Sequence, residues 1–88
     1  MPILLTDKAM EDYVSFSKDH KIMQKIGKLI DDIRRNGVLM GAGNPEALKY
    51  GLTGWYSREI DSKNRLVYRV LDDGTIEIQS LKGHYKDK

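Results

Sequence analysis

Ile22, Ile26, Leu29, Ile30 and Ile33 recur at three-to-four spacing on a charged background, and the pattern stops at Asn36-Gly37. Apolar residues at that spacing form one stripe along a helix, and Asn-Gly is a strong helix stop. Gly27 lowers the intrinsic helicity of the segment without breaking the pattern. Such a stripe must be buried against other parts of the same chain. With 88 residues there is room for one modest core, so a single domain over residues 1–88 is expected.

The segments on either side supply the packing partners. Ile3-Leu4-Leu5 reads as a short first strand, and Thr6 as the N-cap of a first helix running to about residue 18, with Met10, Tyr13 and Val14 as its apolar stripe. After the second helix, Gly41-Ala42-Gly43-Asn44-Pro45 is loop-forming and presents Glu46 at the start of a short turn or strand. Three strands are expected at about 54–60, 65–71 and 75–82, with Asp72-Asp73-Gly74 as the hairpin signal between the last two. The order β-α-α-β-β-β gives an α+β fold: two N-terminal helices packed on one face of a largely antiparallel, twisted sheet. The other sheet face is then free to hold a site. In 65–71, Arg65, Val67 and Arg69 share one side, while Leu66, Tyr68 and Val70 share the other.

Composition narrows the function classes. Forty per cent hydrophobic and 32% charged residues describe an ordinary globular protein. No run approaches the ~18 apolar residues of a membrane span. Met1-Pro2-Ile3-Leu4-Leu5 lacks the marks of a signal peptide, so a cytoplasmic location is expected. The absence of cysteine excludes disulfides and thiolate metal sites, and two distant histidines are no metal signature. No metal or cofactor is expected. Net charge is +2, with seven Lys/Arg against six Asp/Glu in residues 1–44 and eight against seven in 45–88. Neither half is polybasic, so a nucleic-acid substrate would need help in delivery.

Among the remaining residues, Glu46, Arg65 and His84 together match the needs of RNA cleavage by its own 2′-hydroxyl: a base, a stabiliser of phosphate charge and an acid. Each has a plainer reading. Glu46 can simply open a turn, since an ordinary glutamate with a pKa of roughly 4.3 is a weak base. His84 can be a solvated tail residue, although an imidazole with a pKa of roughly 6.5 suits protonation of a leaving 5′-oxygen. Arg65 can clamp the scissile phosphate, with Arg58 and Lys49 on neighbouring phosphates, or all three can be surface charges. Trp55 and Tyr56 can stack on bases or pack on the sheet, and Tyr85 is the better stacking candidate. Asp31-Asp32 reads as a solvated helix face, and His20 as structural or solvated.

Taken in order along the chain, these pieces resemble the YoeB/Txe toxins of the RelE toxin superfamily, the toxin halves of bacterial toxin–antitoxin pairs. The resemblance covers Asp12-Tyr13, Ile33-Arg34-Arg35, Gly43-Asn44-Pro45-Glu46-Ala47-Leu48-Lys49, Leu52-Thr53-Gly54-Trp55-Tyr56-Ser57-Arg58, Asn64-Arg65-Leu66-Val67-Tyr68 and His84-Tyr85. It implies a ribosome-dependent endoribonuclease that cuts mRNA in the ribosomal A site and so inhibits translation. In that reading Glu46 is the base, Arg65 the phosphate stabiliser and His84 the acid, with Lys49, Arg58 and Tyr85 positioning the substrate. The implied partners are the ribosome, mRNA and a cognate YefM/Axe-like antitoxin, with operator DNA reached through the antitoxin, and the family also forms toxin homodimers.

The chain departs from the family pattern at three points. Glu59 stands where a second arginine is common, Gly83 precedes the histidine where a larger residue is usual, and Lys86-Asp87-Lys88 follow the tyrosine that ends the best-known form. The ParE toxins, which poison gyrase on the same scaffold, are the competing reading. They lack the base-and-acid pair, so Glu46 together with His84 argues against them.

Overall fold

In the computed structural model, which describes residues 2–83, the elements are β1 (Ile3–Leu5), α1 (Asp7–Ser15), α2 (His20–Asn36), β2 (Glu46–Ala47), β3 (Tyr56–Glu59), β4 (Arg65–Val70) and β5 (Ile76–Ser80). The strands form one sheet in the order β1-β5-β4-β3-β2, with β1 parallel to β5 and the other three pairings antiparallel. The α+β expectation holds. Its one addition is the two-residue strand at Glu46, which lengthens the sheet beside β3.

The α2 stripe does what its spacing implies. Ile26, Leu29 and Ile33 are buried against Leu66, Tyr68, Ile76 and Ile78 of the sheet, and Ile22 and Ile30 flank them. The Asp19 side chain caps the helix by accepting from the Ile22 N–H at 3.1 Å, and Gly37 ends it at φ +85°.

The α1 stripe needs correction. Met10, Tyr13 and Val14 are exposed, and the buried positions are Ala9, Asp12 and, just past the helix, Phe16. The helix also stops at Ser15 rather than near 18. The rotation has a polar cause. Asp12 turns inward because its carboxylate accepts from the backbone N–H groups of Leu81 and Lys82 at 2.9 and 3.0 Å, which ties α1 to the end of β5. Thr6 fixes the start, accepting from the Ala9 N–H at 3.1 Å and donating to the Gln79 carbonyl at 2.7 Å.

Strand alternation then separates two sheet faces. Tyr56, Leu66, Tyr68, Val70, Ile76 and Ile78 join the helices in the core. Cross-strand register places Glu46, Ser57 and Val67 together on the opposite face, with Glu59 beside Arg65 and Arg69 beside Glu77. Among the described residues no helix is long and apolar enough to cross a membrane.

Candidate active site

Arg65 occupies the centre of the face away from the helices, and neutral acceptors fix its direction. Its Nε donates to Ser57 Oγ at 2.9 Å, and its Nη2 donates to the Asn44 carbonyl at 3.1 Å and to the Ser57 carbonyl at 3.4 Å. The side chain is only 5% exposed, so the guanidinium lies almost buried among these acceptors. Two carboxylates flank it. Glu46 Oε1 lies 3.9 Å from Nη2, and Glu59 Oε2 lies 3.8 Å from Nη1. Both exceed hydrogen-bond range, so neither carboxylate takes up the donors that a bidentate oxyanion contact needs.

Glu46 reaches this place through the loop before it. Gly43 adopts φ +84° and its carbonyl accepts from the Glu59 N–H at 2.7 Å, stitching the loop to β3. Asn44, also left-handed at φ +49°, turns its carbonyl to Arg65 and its side-chain amide to Glu59 Oε1 at 3.3 Å. Pro45 leads into the β2–β3 pairing, which sets Glu46 opposite Ser57. The Glu46 side chain is 57% exposed, open to a bound ligand.

Arg58 is not on this face. It is fully buried on the helix side, contrary to its expected place among the phosphate-holding residues. All five of its N–H donors are used. Nε bonds Tyr68 Oη at 2.9 Å, Nη1 bonds Asp32 and the Ala42 carbonyl at 3.1 Å, and Nη2 bonds the Gly37 and Met40 carbonyls at 2.7 and 2.8 Å. A guanidinium so occupied has nothing left for RNA; it holds the 37–42 loop that leads to Glu46. Asp32 is likewise corrected from a solvated charge to a structural one, accepting from Arg58, Asn36 and the Ala42 N–H. The Arg58 guanidinium, followed by that N–H, holds its carboxyl below the usual carboxylate value. Burial raises the Tyr68 hydroxyl above its ordinary value, with Arg58 opposing.

The remaining expected residues divide. Lys49 is exposed, three residues beyond Glu46, in the turn that follows β2. Trp55 packs under Arg69, whose guanidinium carbon lies 4.5 Å from the ring centre and whose Nε pairs with Glu77 at 2.7 Å. Tyr56 faces the core, with its ring 6.0 Å from that of Tyr68. His84 and Tyr85 lie outside the described residues. The last described residue, Gly83, accepts from the Arg65 N–H and donates to Asn64 Oδ1, both at 3.0 Å. The described chain therefore ends with Gly83 bonded to the backbone of Arg65.

Sequence reasoning missed Ser57 and Asn44 as the groups that hold Arg65. The signal was partly present, since Ser57 alternates with Glu59 and so shares its face, but diagonal contact with Arg65 depends on register. Among the described residues no cluster of His, Cys, Asp and Glu suits a metal ion.

Residues 5–85 match the family of the YoeB-like toxin of bacterial type II toxin–antitoxin systems. The toxin YoeB of Streptomyces coelicolor is 42% identical over 86 residues, covering 97% of this chain and 100% of that protein. A chain of the heterotetrameric YoeB–YefM toxin–antitoxin complex from Staphylococcus aureus superposes with a TM-score of 0.89 at 49% identity, covering 97% of this chain and 98% of that one. The Staphylococcus aureus YoeB dimer gives 0.89 at 48% identity with the same coverage.

Proposed function

The chain belongs to the YoeB-like toxins of bacterial type II toxin–antitoxin systems, and from that membership we propose that it is a metal-independent endoribonuclease that cuts mRNA in the ribosomal A site. The observation that carries the reading is the pairing of Arg65 with Glu46 on an open sheet face, 3.9 Å apart, with the arginine directed by Ser57 and Asn44. Glu46 takes the proton of a ribose 2′-hydroxyl as that oxygen bonds to the adjacent phosphorus. Arg65 meets the charge that grows on the non-bridging oxygens. The bond from phosphorus to the 5′-oxygen breaks, and His84 supplies the proton to that leaving oxygen. The products are a 2′,3′-cyclic phosphate and a 5′-hydroxyl. Lys49 and Tyr85 contact flanking nucleotides, while Arg58 acts from inside the protein.

An open surface with almost balanced charge suits a substrate positioned by the ribosome. Control in the cytoplasm comes from an antitoxin like the YefM of the Staphylococcus aureus complex, acting also as the DNA-binding part of an operon repressor. The exposed Ile3, Leu4, Met10, Tyr13 and Val14 offer apolar surface for that partner or for a second toxin copy.

The test is primer extension on an mRNA with and without ribosomes paused at a defined codon. A cut inside the A-site codon, seen with ribosomes alone, is expected. Glu46→Ala and His84→Ala should each slow cutting by about 10²-fold or more while keeping the wild-type circular dichroism. Full cutting by both variants would sink the assignment. Growth arrest without cutting, persisting in the double variant, would point to gyrase instead.

A further inference from the structure

Glu59 flanks Arg65, and the proposed chemistry leaves it idle. Its backbone N–H is bonded to Gly43 at 2.7 Å, and its Oε1 accepts from the Asn44 amide at 3.3 Å. The carboxylate is thereby anchored at the site. Its Oε2 stands 3.8 Å from Arg65 Nη1, on the opposite flank of the guanidinium from Glu46.

Two effects of opposite sign follow from such a neighbour. A carboxylate can orient an arginine and so assist phosphate binding, or it can compete for the charge and repel a phosphate. Orientation is already supplied by three neutral acceptors, Ser57 Oγ and the Ser57 and Asn44 carbonyls, and the arginine stem is buried. At 3.8 Å Glu59 makes no hydrogen bond, so it adds little direction. Its Coulombic influence remains, because a 44% exposed carboxylate a few ångströms from a bound phosphate is only partly screened. Among the described residues, the Arg65 guanidinium sits between two carboxylates, those of Glu46 and Glu59, which oppose its pull on an RNA phosphate.

We propose that Glu59 is a built-in anionic competitor at Arg65, which weakens the grip of the site on an RNA phosphate and so restricts binding to RNA presented by another surface. This rests on the ribonuclease reading above. Glu59 takes no part in bond making or proton transfer; it acts through Arg65.

The test compares wild type with Glu59→Gln, which keeps an oxygen to accept from Asn44 and removes the charge. The probe is a short RNA carrying 2′-O-methyl groups, which cannot be cleaved, and its affinity is read from nuclear magnetic resonance shifts. Glu59→Gln should bind about five- to tenfold more tightly at low salt, with the advantage shrinking as salt rises. A merely structural glutamate would not give tighter binding when replaced. Glu11→Gln, the same charge change on the exposed side of α1, should bind like wild type. Equal or weaker binding by Glu59→Gln, an equal gain in Glu11→Gln, or no binding by any of the proteins would overturn the proposal. Failure of the ribonuclease reading would show differently, as binding by this pattern without a cut on ribosomes. On ribosomes, Glu59→Gln should lower KM and leave kcat within about twofold.

Discussion

Replacing Gly43 with alanine would set a Cβ 2.9 Å from Leu29 Cδ2, 3.1 Å from Arg58 Cβ and 3.2 Å from the Glu59 carbonyl, at a residue with φ +84°. All three neighbours belong to buried side chains or backbone, so the clash adds to the left-handed strain. The expected loss is about 2 kcal/mol, read as a lower urea midpoint, and a change below about 0.5 kcal/mol would mean the loop gives way freely. The same residue scale shows what a sequence can and cannot disclose. The residue types of Glu46 and Arg65 left a plain reading open for each, and the roles proposed for them rest on the family resemblance; what the fold adds is their closeness on one sheet face. The place of Arg58 was not legible. It shares strand parity with Tyr56 and Ile60 of the core, but a buried guanidinium is credible only with partners, and those come from Tyr68, from Asp32 and from loop carbonyls 16 to 21 residues away.

At the scale of elements, Arg58 joins β3 to α2 and to the loop between α2 and β2. Removing it takes a donor from the Gly37, Met40 and Ala42 carbonyls and leaves the Asp32 carboxylate with only Asn36 and the Ala42 N–H. Arg58→Met should therefore cost about 3 kcal/mol or more in urea unfolding. Asp32→Asn, which keeps acceptors for Arg58 and Ala42, should cost about 1–2 kcal/mol and still fold. Similar costs for the two would show that the Asp32 charge, not the loop carbonyls, dominates the network. Element existence was well marked in the sequence by periodicity and turn residues. The facing of α1 was not, because apolar residues lie on more than one side of it, and the choice is made by the bond of Asp12 to β5, 69 residues downstream.

For the whole molecule, the response to acid includes four aspartates among the described residues whose carboxyls the fold holds below their ordinary value. Burial raises the Asp12 carboxyl, but the Lys8 hydrogen bond and the Leu81 and Lys82 N–H groups outweigh it, leaving the carboxyl below its ordinary value. Asp32, Asp61 and Asp73 are lowered as well: Asp32 by Arg58 first, Asp61 because the Lys63 and Asn64 donors together outweigh burial, its largest single influence, and Asp73 by Thr75. A carboxyl lowered in the folded state stabilises it above the unfolded value of about 4 and ceases to do so as pH falls through the folded value. Stability should thus hold between about pH 5 and neutrality and drop below about pH 4, more steeply in wild type than in Asp12→Asn. Equal urea midpoints at pH 6 and pH 3 would contradict this. The sheet itself carries a final consequence. Its first strand lies parallel to its last, Ile3 against Ile76, so the opening residues of the chain have no strand to join until the closing ones exist. During synthesis β1 must wait unpaired while the helices and the three strands between it and β5 are made, and the sheet closes only when β5 has left the exit tunnel.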